Sequence, residues 1–496
     1  MRKIFALALT VLTVFGICGS GEFRADAWAT GGVYRNKVDG YCFTMPAGFA
    51  PNYSFYPTAM IFESADTDIE IYAQECKSKA ERLSYISYSN KAITNNKIDY
   101  RDVSMFTDYQ YNTVLRWSRN KLSRIEKDRN YYLKIDIPTE HKVYTMLLKS
   151  TEPLEHYKNY LSLISFHNDI EPVGELPKKL PRVPHFNDET QAFYEKYFSD
   201  SAKLSWGIFH PGYMQGDSLK VYENEINSEF DVALWYMGLY KDYSREREMG
   251  ILEKAYADGK TVELTLQPLL AHQAGNDLFR LMDGYYDDFL DKYAADIARF
   301  GHPVMFRFAN EMNGDWCEYS GYQMSMDTRI YREMYRYVCG FFEKHNADNV
   351  ILVWNPNGRS FPPYKWNAEE MYYPGNDYVD ILGLTLYNTG TFYEGEKWTS
   401  FENLYDPLYK NAVQKYDMPF MITEFACARV GGNKEEWTRD MLRRIEGYTN
   451  VKMAVWWNGV DYASDGSISR MYYIADSPEM KEIFRDYFSQ KSKQAQ

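Results

Sequence analysis

Eight apolar strand candidates, each followed by an amphipathic helix pattern, fill the chain after residue 200 and constrain its fold more than any other feature. Strands that alternate with helices build parallel sheets, and eight parallel strands close into a barrel. The sequence therefore predicts an α/β fold, a (β/α)8 TIM barrel over residues 189–490. The candidate strands are residues 203–210, 230–237, 261–267, 303–311, 349–355, 377–388, 419–425 and 451–457.

The helices around the fourth strand show the apolar stripes that packing on a sheet requires. The first ends at Gly301, followed by Pro303, and the second begins near Asp327. The predicted inward-facing residues are Tyr286, Leu290, Tyr293 and Ile297 in the first helix, and Ile330, Met334, Tyr337 and Phe341 in the second.

Residues 28–168 are predicted to form a small α+β accessory domain, because short apolar strands there flank one polar helical stretch near residues 76–95. Residues 169–188 contain four prolines and are predicted to be a stiff linker. The accessory domain has no catalytic signature. It is either a glycan-binding or envelope-docking module, or a folding partner of the barrel.

The first 27 residues have the pattern of a secretory signal peptide. Arg2 and Lys3 precede an apolar run from residue 4 to residue 17, and Ala25 and Ala27 frame a small-residue cleavage site. The run is too short for a good spanning helix, so no integral membrane segment is expected after signal removal. We expect a secreted, periplasmic or cell-envelope protein. Lipidation at Cys18 is the weaker alternative, because Ile17 is bulky.

Charge and composition restrict the partners. The net charge of −13 argues against a nucleic-acid partner, because nucleic-acid binders are typically basic. The aromatic fraction of 17% is instead compatible with a polysaccharide partner, whose sugar rings stack on aromatic side chains. After signal removal an odd number of cysteines remains, without CxxC spacing, so at most one or two disulfides are expected. The eight histidines show no metal-binding spacing, and neither a metal nor a cofactor is predicted.

Two glutamates end strands of the predicted barrel, where barrel enzymes place their chemistry. Glu311 ends the fourth strand and Glu424 the seventh. Any lone glutamate is usually a solvated strand-end residue. A pair at one end of a barrel instead matches retaining glycosidases, in which two carboxyl groups about 5 to 5.5 Å apart protonate the leaving oxygen and attack the sugar.

Supporting residues follow from strand alternation, which places Arg307 and Glu311 on the inner face of the fourth strand. A buried arginine must be paired, and Glu263 on the third strand is the predicted partner. Arg307 and Tyr387 are expected to orient Glu424 as a nucleophile, and apolar neighbours are expected to raise the pKa of Glu311, as an acid requires.

Four segments together resemble glycoside hydrolase family 26, a branch of the retaining clan of barrel glycosidases. They are RFANEMNGDW, VWNPNG, YYPGNDYVDILGLTLYN and PFMITEFA, and the resemblance covers residues 201–489. It implies that Glu311 is the acid/base and Glu424 the nucleophile of a hydrolase acting on a β-linked polysaccharide, most commonly β-1,4-mannan. Many mannan-cutting members have His before the acid/base. Asn310 stands there in this chain, as in members that cut β-glucan.

Further residues are candidates for substrate contact. Trp316 and one of the adjacent Trp456 and Trp457 are expected to stack on sugar rings, while the other tryptophan of that pair faces helices. The competing interpretations are simple packing for the tryptophans, core burial for the histidine and turn formation for the asparagines. The polar candidates are Asn310, His210, Tyr387, Asn355 and Asn357.

The leading interpretation is a secreted retaining endo-β-glycosidase of the β-mannan endo-1,4-mannosidase type. A mixed-linkage β-glucan or bacterial exopolysaccharide hydrolase is one alternative. A non-catalytic glycan-binding protein on a barrel scaffold is another, since a fold alone does not establish turnover.

Overall fold

The computed structural model describes residues 30–268 and 276–495. The predicted signal peptide, residues 1–27, lies outside them. Before the barrel come ten strands and two helices. The strands are β1 Thr30–Asn36, β2 Tyr41–Pro46, β3 Ala50–Asn52, β4 Met60–Glu63, β5 Thr67–Glu75, β6 Tyr100–Thr107, β7 Thr113–Arg119, β8 Tyr131–Pro138, β9 Lys142–Ser150 and β10 Ile164–Phe166, and the helices are α1 Lys79–Asn95 and α2 Tyr157–Leu161.

These strands form two antiparallel sheets. One has the order β1-β2-β10 and the other β3-β4-β5-β9-β8-β7-β6. Alternate residues of the larger sheet point to opposite sides. Leu133 and Ile135 of β8 belong to an apolar core confined to this region. The adjacent Tyr132 points to the other side and belongs to the core that extends into the barrel. The sheet is therefore buried on both faces.

The predicted linker lies along the barrel. In this described segment, residues 169–187, no helix or strand forms. Arg182 makes an ion pair with Asp380 at 2.7 Å, and the Lys179 backbone N–H donates to the Lys415 carbonyl at 2.8 Å. These contacts fix the segment where its prolines prevent regular structure.

Eight parallel strands close into a barrel in chain order. Each overlaps one predicted strand, so the predicted fold class is confirmed. The barrel strands are β11 Ser205–Phe209, β12 Val232–Gly238, β13 Thr261–Gln267, β14 Val304–Phe308, β15 Val350–Trp354, β16 Ile381–Thr385, β17 Phe420–Phe425 and β18 Val451–Trp457, followed by a hairpin of β19 Val460–Tyr462 and β20 Ile468–Met471. The helices are α3 Asp188–Phe198, α4 Ser218–Ile226, α5 Arg245–Ala257, α6 Asp277–Leu281, α7 Asp287–Phe300, α8 Thr328–Lys344, α9 Phe401–Lys415, α10 Lys434–Ile445 and α11 Pro478–Ala495.

The helices beside β14 begin and end close to the predicted positions. Gly301 ends α7 with a φ of 72°, a left-handed conformation that favours glycine. The Asp327 carboxylate caps α8 by accepting the Arg329 backbone N–H. On α8, Tyr337 and Phe341 pack against the core as predicted, although both are only half-buried. The apolar stripe continues one residue further on, and the buried residues at those turns are Val338 and Phe342.

Apolar side chains fill the barrel interior. Its core includes Leu234, Met305 and Met453, and Phe198 of α3 packs against them. Since α3 precedes β11, it covers the end of the barrel where the strands begin. The opposite end, where the strands finish, carries the polar side chains.

The five cysteines of residues 30–495 are buried, and none forms a disulfide bond. Among the helices of residues 30–268 and 276–495, none combines the length and apolar character needed to cross a bilayer.

Candidate active site

Three donors hold Glu424 on β17. The Arg307 Nη1 lies 3.4 Å from Oε1, and the Asn310 amide donates to the same oxygen at 3.1 Å. The Tyr236 hydroxyl of β12 donates to Oε2. Register irregularities on both sides of β17 accompany this placement, and such bulges redirect a side chain. The carboxyl of Glu424 is thus fixed at the barrel mouth.

Arg307 lies inside the barrel, as strand alternation predicts. Its Nε is 3.2 Å from Glu263 Oε1, which confirms the predicted pair. The guanidinium also donates to Thr265 at 2.7 Å and to the Asn355 side chain at 2.8 Å. The Arg307 and Glu263 side chains are both fully buried, and burial raises the pKa of the Glu263 carboxyl to about 8, while the charge of Arg307 acts to lower it. Arg307 thus lies within ion-pair distance of both Glu263 and Glu424.

Asn310 is oriented by a neighbouring amide. The Gln267 amide of β13 donates to the Asn310 side-chain oxygen at 2.9 Å. The Asn310 Nδ2 is then the atom that faces Glu424. With 1% of its surface exposed, Asn310 contacts the other members of the site rather than an open surface.

Glu311 follows β14 in an unusual backbone conformation. Ala309 and Glu311 have φ values of 45° and 58°, so strand alternation stops at Phe308. The Glu311 backbone N–H donates to the Asn355 carbonyl at 2.8 Å, and the Asn357 amide donates to Oε1 of Glu311. Local turns, rather than the pleat of a strand, aim this carboxyl.

Burial, together with the charge of neighbouring Glu424, raises the pKa of the Glu311 carboxyl to about 8. The Asn357 amide, Arg307 and the Trp316 side chain act in the opposite direction by favouring the charged form. A raised pKa keeps a carboxyl protonated near neutral pH. This is the state that a general acid needs.

Three of the predicted substrate residues border the open mouth. Trp316 is 53% exposed, and its ring centroid lies 5.4 Å from that of Phe361. Trp457 stacks on Phe209 at 5.2 Å and meets the edge of Tyr387 at 6.2 Å. Their contact with a sugar stays a prediction.

Two predicted contacts need correction because the side chains are fully buried. Trp456 packs against Phe484 of α11, so it is the member of the tryptophan pair that faces helices. Asn355 uses its amide on Arg307 and Thr385 and supports the site from beneath. Neither side chain can reach a ligand.

His210 is largely occupied by protein partners. Its Nε2 lies 3.2 Å from the Ser218 hydroxyl and its Nδ1 3.2 Å from the Asn458 amide. Burial lowers the pKa of the imidazole, which favours the neutral ring. The position after β11 is as predicted, but both nitrogens already have partners within the protein.

Tyr236 and Gln267 were not predicted as functional residues, and neither was the carboxyl-holding role of Asn357. Strand alternation places Gln267 on the inner face of β13 and Tyr236 on the inner face of β12. Strand alternation does not give the stagger between neighbouring strands. That stagger determines which of the inward-facing side chains come into contact. In the described part of the chain, no group of three or more His, Cys, Asp or Glu is arranged to hold a metal ion.

A buried, readily protonated carboxyl beside a second carboxyl held by hydrogen-bond donors, at the mouth of a β/α barrel, is the arrangement that glycoside hydrolases with two catalytic carboxyl groups use. Residues 260–429 match the family model described as Glycosyl hydrolase family 26. This part of the barrel is a domain of that family.

The chain is similar to curated proteins over limited lengths. Endoglucanase H of Acetivibrio thermocellus is 27% identical over 49% of this chain and 26% of its own length. A mannan endo-1,4-beta-mannosidase of Bacillus subtilis is 35% identical over 18% of this chain and 25% of its own length. The chain spans about a quarter of the length of these curated relatives.

A solved structure, the catalytic domain of a GH26 endo-beta-1,4-mannanase from a Bacillus species, is 18% identical with a TM-score of 0.48. The similarity covers 63% of this chain and 94% of that one.

Proposed function

We propose that this protein is a retaining endo-β-glycosidase that hydrolyses a β-1,4-linked polysaccharide, with Glu311 as acid/base and Glu424 as nucleophile. The observation that carries the proposal is the asymmetry of the two carboxyls. Burial and the neighbouring charge raise the pKa of Glu311, whereas Arg307, Asn310 and Tyr236 direct donors at Glu424. One group is prepared to give a proton and the other to attack.

The reaction follows in two steps. Glu424 attacks the anomeric carbon while Glu311 protonates the departing glycosidic oxygen, which leaves a glycosyl ester on Glu424. Glu311, now a carboxylate, then takes a proton from water, and the water oxygen displaces Glu424 from the sugar. Two inversions restore the original anomeric configuration.

For the substrate we propose β-1,4-mannan first, in line with the mannosidase relative. A mixed-linkage β-glucan is the second candidate. It is favoured by Asn310 before the acid/base and by the longer match to an endoglucanase. A bacterial exopolysaccharide is the remaining alternative. We further propose that the chain acts outside the cytoplasm, after removal of residues 1–27, which N-terminal sequencing of the exported protein would test.

Reducing-sugar release from a panel of mannan, mixed-linkage β-glucan, cellulose, xylan and exopolysaccharide tests the proposal. The parent should release sugar from at least one β-glycan, and Glu424→Ala should release none. Glu140→Ala, at a side chain that is 86% exposed, is the matched control and should equal the parent. A parent that binds a glycan without cleaving any would instead be a glycan-binding protein.

A further inference from the structure

The segment between β14 and α8, residues 309–327, carries Glu311 and is here named the acid/base loop. Besides Ala309 and Glu311, Ser325 and Met326 also have left-handed backbones, with φ values of 61° and 56°. Residues with a side chain adopt such conformations only where their surroundings enforce them. The shape of the loop therefore depends on what holds it.

The barrel holds the beginning of this loop. The Tyr319 hydroxyl donates to the Asn310 carbonyl at 2.7 Å, and the Asn367 amide donates to the Asn313 carbonyl at 2.8 Å. Further along the loop, the Asn276 side-chain amide donates to the Glu318 carbonyl at 3.0 Å, and the Tyr372 hydroxyl accepts the Gly321 backbone N–H at 2.9 Å.

The N-terminal sheets and α1, residues 30–166, also hold the middle of the loop. The Tyr88 hydroxyl of α1 donates to the Asp315 carboxylate, and the Tyr88 ring lies 5.0 Å from that of Tyr322. The Tyr100 hydroxyl donates to the Gln323 carbonyl at 2.6 Å and accepts the Ser325 backbone N–H at 2.8 Å. The second contact falls on one of the strained residues.

A buried charged network holds the end of the loop. Lys149 Nζ lies 3.0 Å from Asp327 and 2.5 Å from Glu70, and the Tyr132 hydroxyl donates to Asp327 at 3.1 Å. At most 4% of any of the three charged side chains is exposed. Asp327 is also the N-cap of α8, so this network ties the end of the loop to the first turn of that helix.

The anchored residue Asp315 directly precedes Trp316 and lies between Gly314 and Cys317, whose backbone N–H and thiol donate to the Glu311 carbonyl at 2.8 and 3.5 Å respectively. The Trp316 side chain favours the charged form of Glu311, and its indole lies so close over Gly314 that a side chain there would overlap it. A shift of Asp315 would therefore move Trp316 and change the surroundings of the Glu311 carboxyl.

We infer that the N-terminal region positions the general acid of the barrel, with Tyr88 and Tyr100 as positioning residues. This inference rests on the proposed function, since it assigns part of the acid's placement to a region outside the barrel. It favours the folding-partner role for the region over a separate docking module. Tyr88 and Tyr100 touch no substrate and act through the acid/base loop.

The test compares leaving groups in the full-length protein. A sugar leaving group must be protonated as it departs, whereas 2,4-dinitrophenolate departs without a proton. Tyr88→Phe keeps the aromatic ring against Tyr322 but removes the hydroxyl that donates a hydrogen bond to the Asp315 carboxylate. We expect kcat/KM for the glycan to fall by about 10- to 100-fold, mainly through kcat, with less than about a twofold change on the dinitrophenyl glycoside of the matching oligosaccharide.

Tyr100→Phe should show the same selective loss. Tyr109→Phe is the matched control, because its side chain is 79% exposed in the same region, and it should equal the parent on both substrates. Equal losses on both substrates, or no loss on either, would overturn the inference while the proposed function stands. A parent inactive on every β-glycan would overturn both.

Discussion

At the scale of single residues, the two carboxyls of the site are held by different donors: the Asn357 amide donates to Glu311, whereas the Tyr236 hydroxyl and the Asn310 amide donate to Glu424. Glu311, Glu424 and the Arg307–Glu263 pair follow from strand ends, alternation and the cost of an unpaired buried charge. The donors Tyr236 and Asn357 do not, because side chains on different strands meet only through the stagger of the barrel. For the same reason, Asn355 could not be recognised in advance as a buried support for Arg307.

The pH dependence of activity tests the role of Asn357. Its amide donates to Glu311 and favours the carboxylate, so Asn357→Ala should raise the pKa of Glu311 above the parent value of about 8. The alkaline limb of kcat/KM reports the acid of the free enzyme and should move to higher pH by about 0.5 to 1 unit. The acidic limb serves as the internal control. A move of the alkaline limb to lower pH would contradict the assignment of Glu311 as the acid.

At the scale of elements, all eight barrel strands overlap the predicted ones, because apolar runs with helical spacers carry strong signals. The ends of α7 and α8 were marked by Gly301 and Asp327. The acid/base loop was not predictable, since its left-handed residues are alanine, glutamate, serine and methionine rather than glycine. Tertiary contacts impose those conformations against local preference.

A serine pair in that loop separates backbone strain from burial. Ser325 and Ser320 are both fully buried, and neither hydroxyl has a hydrogen-bond partner among the described residues, but only Ser325 has a positive φ. Ser325→Gly should therefore raise the free energy of unfolding by about 1 kcal/mol.

Ser320→Gly should lower that free energy by about 0.5 to 1 kcal/mol, because glycine gains freedom in the unfolded chain without relieving strain. Urea unfolding of both variants measures the difference. Equal effects of the two substitutions would show that the Ser325 backbone stores no strain.

At the scale of the whole molecule, the sequence separated an N-terminal α+β region from a barrel but left the role of that region open. The structure joins the two through a shared core in which Trp117 and Tyr132 of the larger sheet take part. The Tyr132 hydroxyl, for example, donates to Asp327, which lies 195 residues further along the chain. No local pattern encodes contacts over such separations.

Because the core is shared, we predict that the barrel is less stable without the N-terminal region. A fragment of residues 189–496 would expose aromatic surface and lose the Lys149 partner of Asp327, and it should melt lower than the full chain by roughly 10 °C or more. The control is the full chain nicked at exposed Gly174, which keeps both parts and should melt near the intact protein. A fragment as stable as the full chain would refute the shared core.

The central claim is that Glu424 forms a covalent bond to the sugar while Glu311 handles the proton. Incubation with an activated 2-deoxy-2-fluoro glycoside of the preferred substrate, followed by peptide mass spectrometry, tests it most directly, because the fluorine slows breakdown of the glycosyl-enzyme. The account predicts one added glycosyl group, carried by the peptide residue Glu424. A label on any other residue, or turnover of the natural glycan with inverted anomeric configuration and no label, would contradict it.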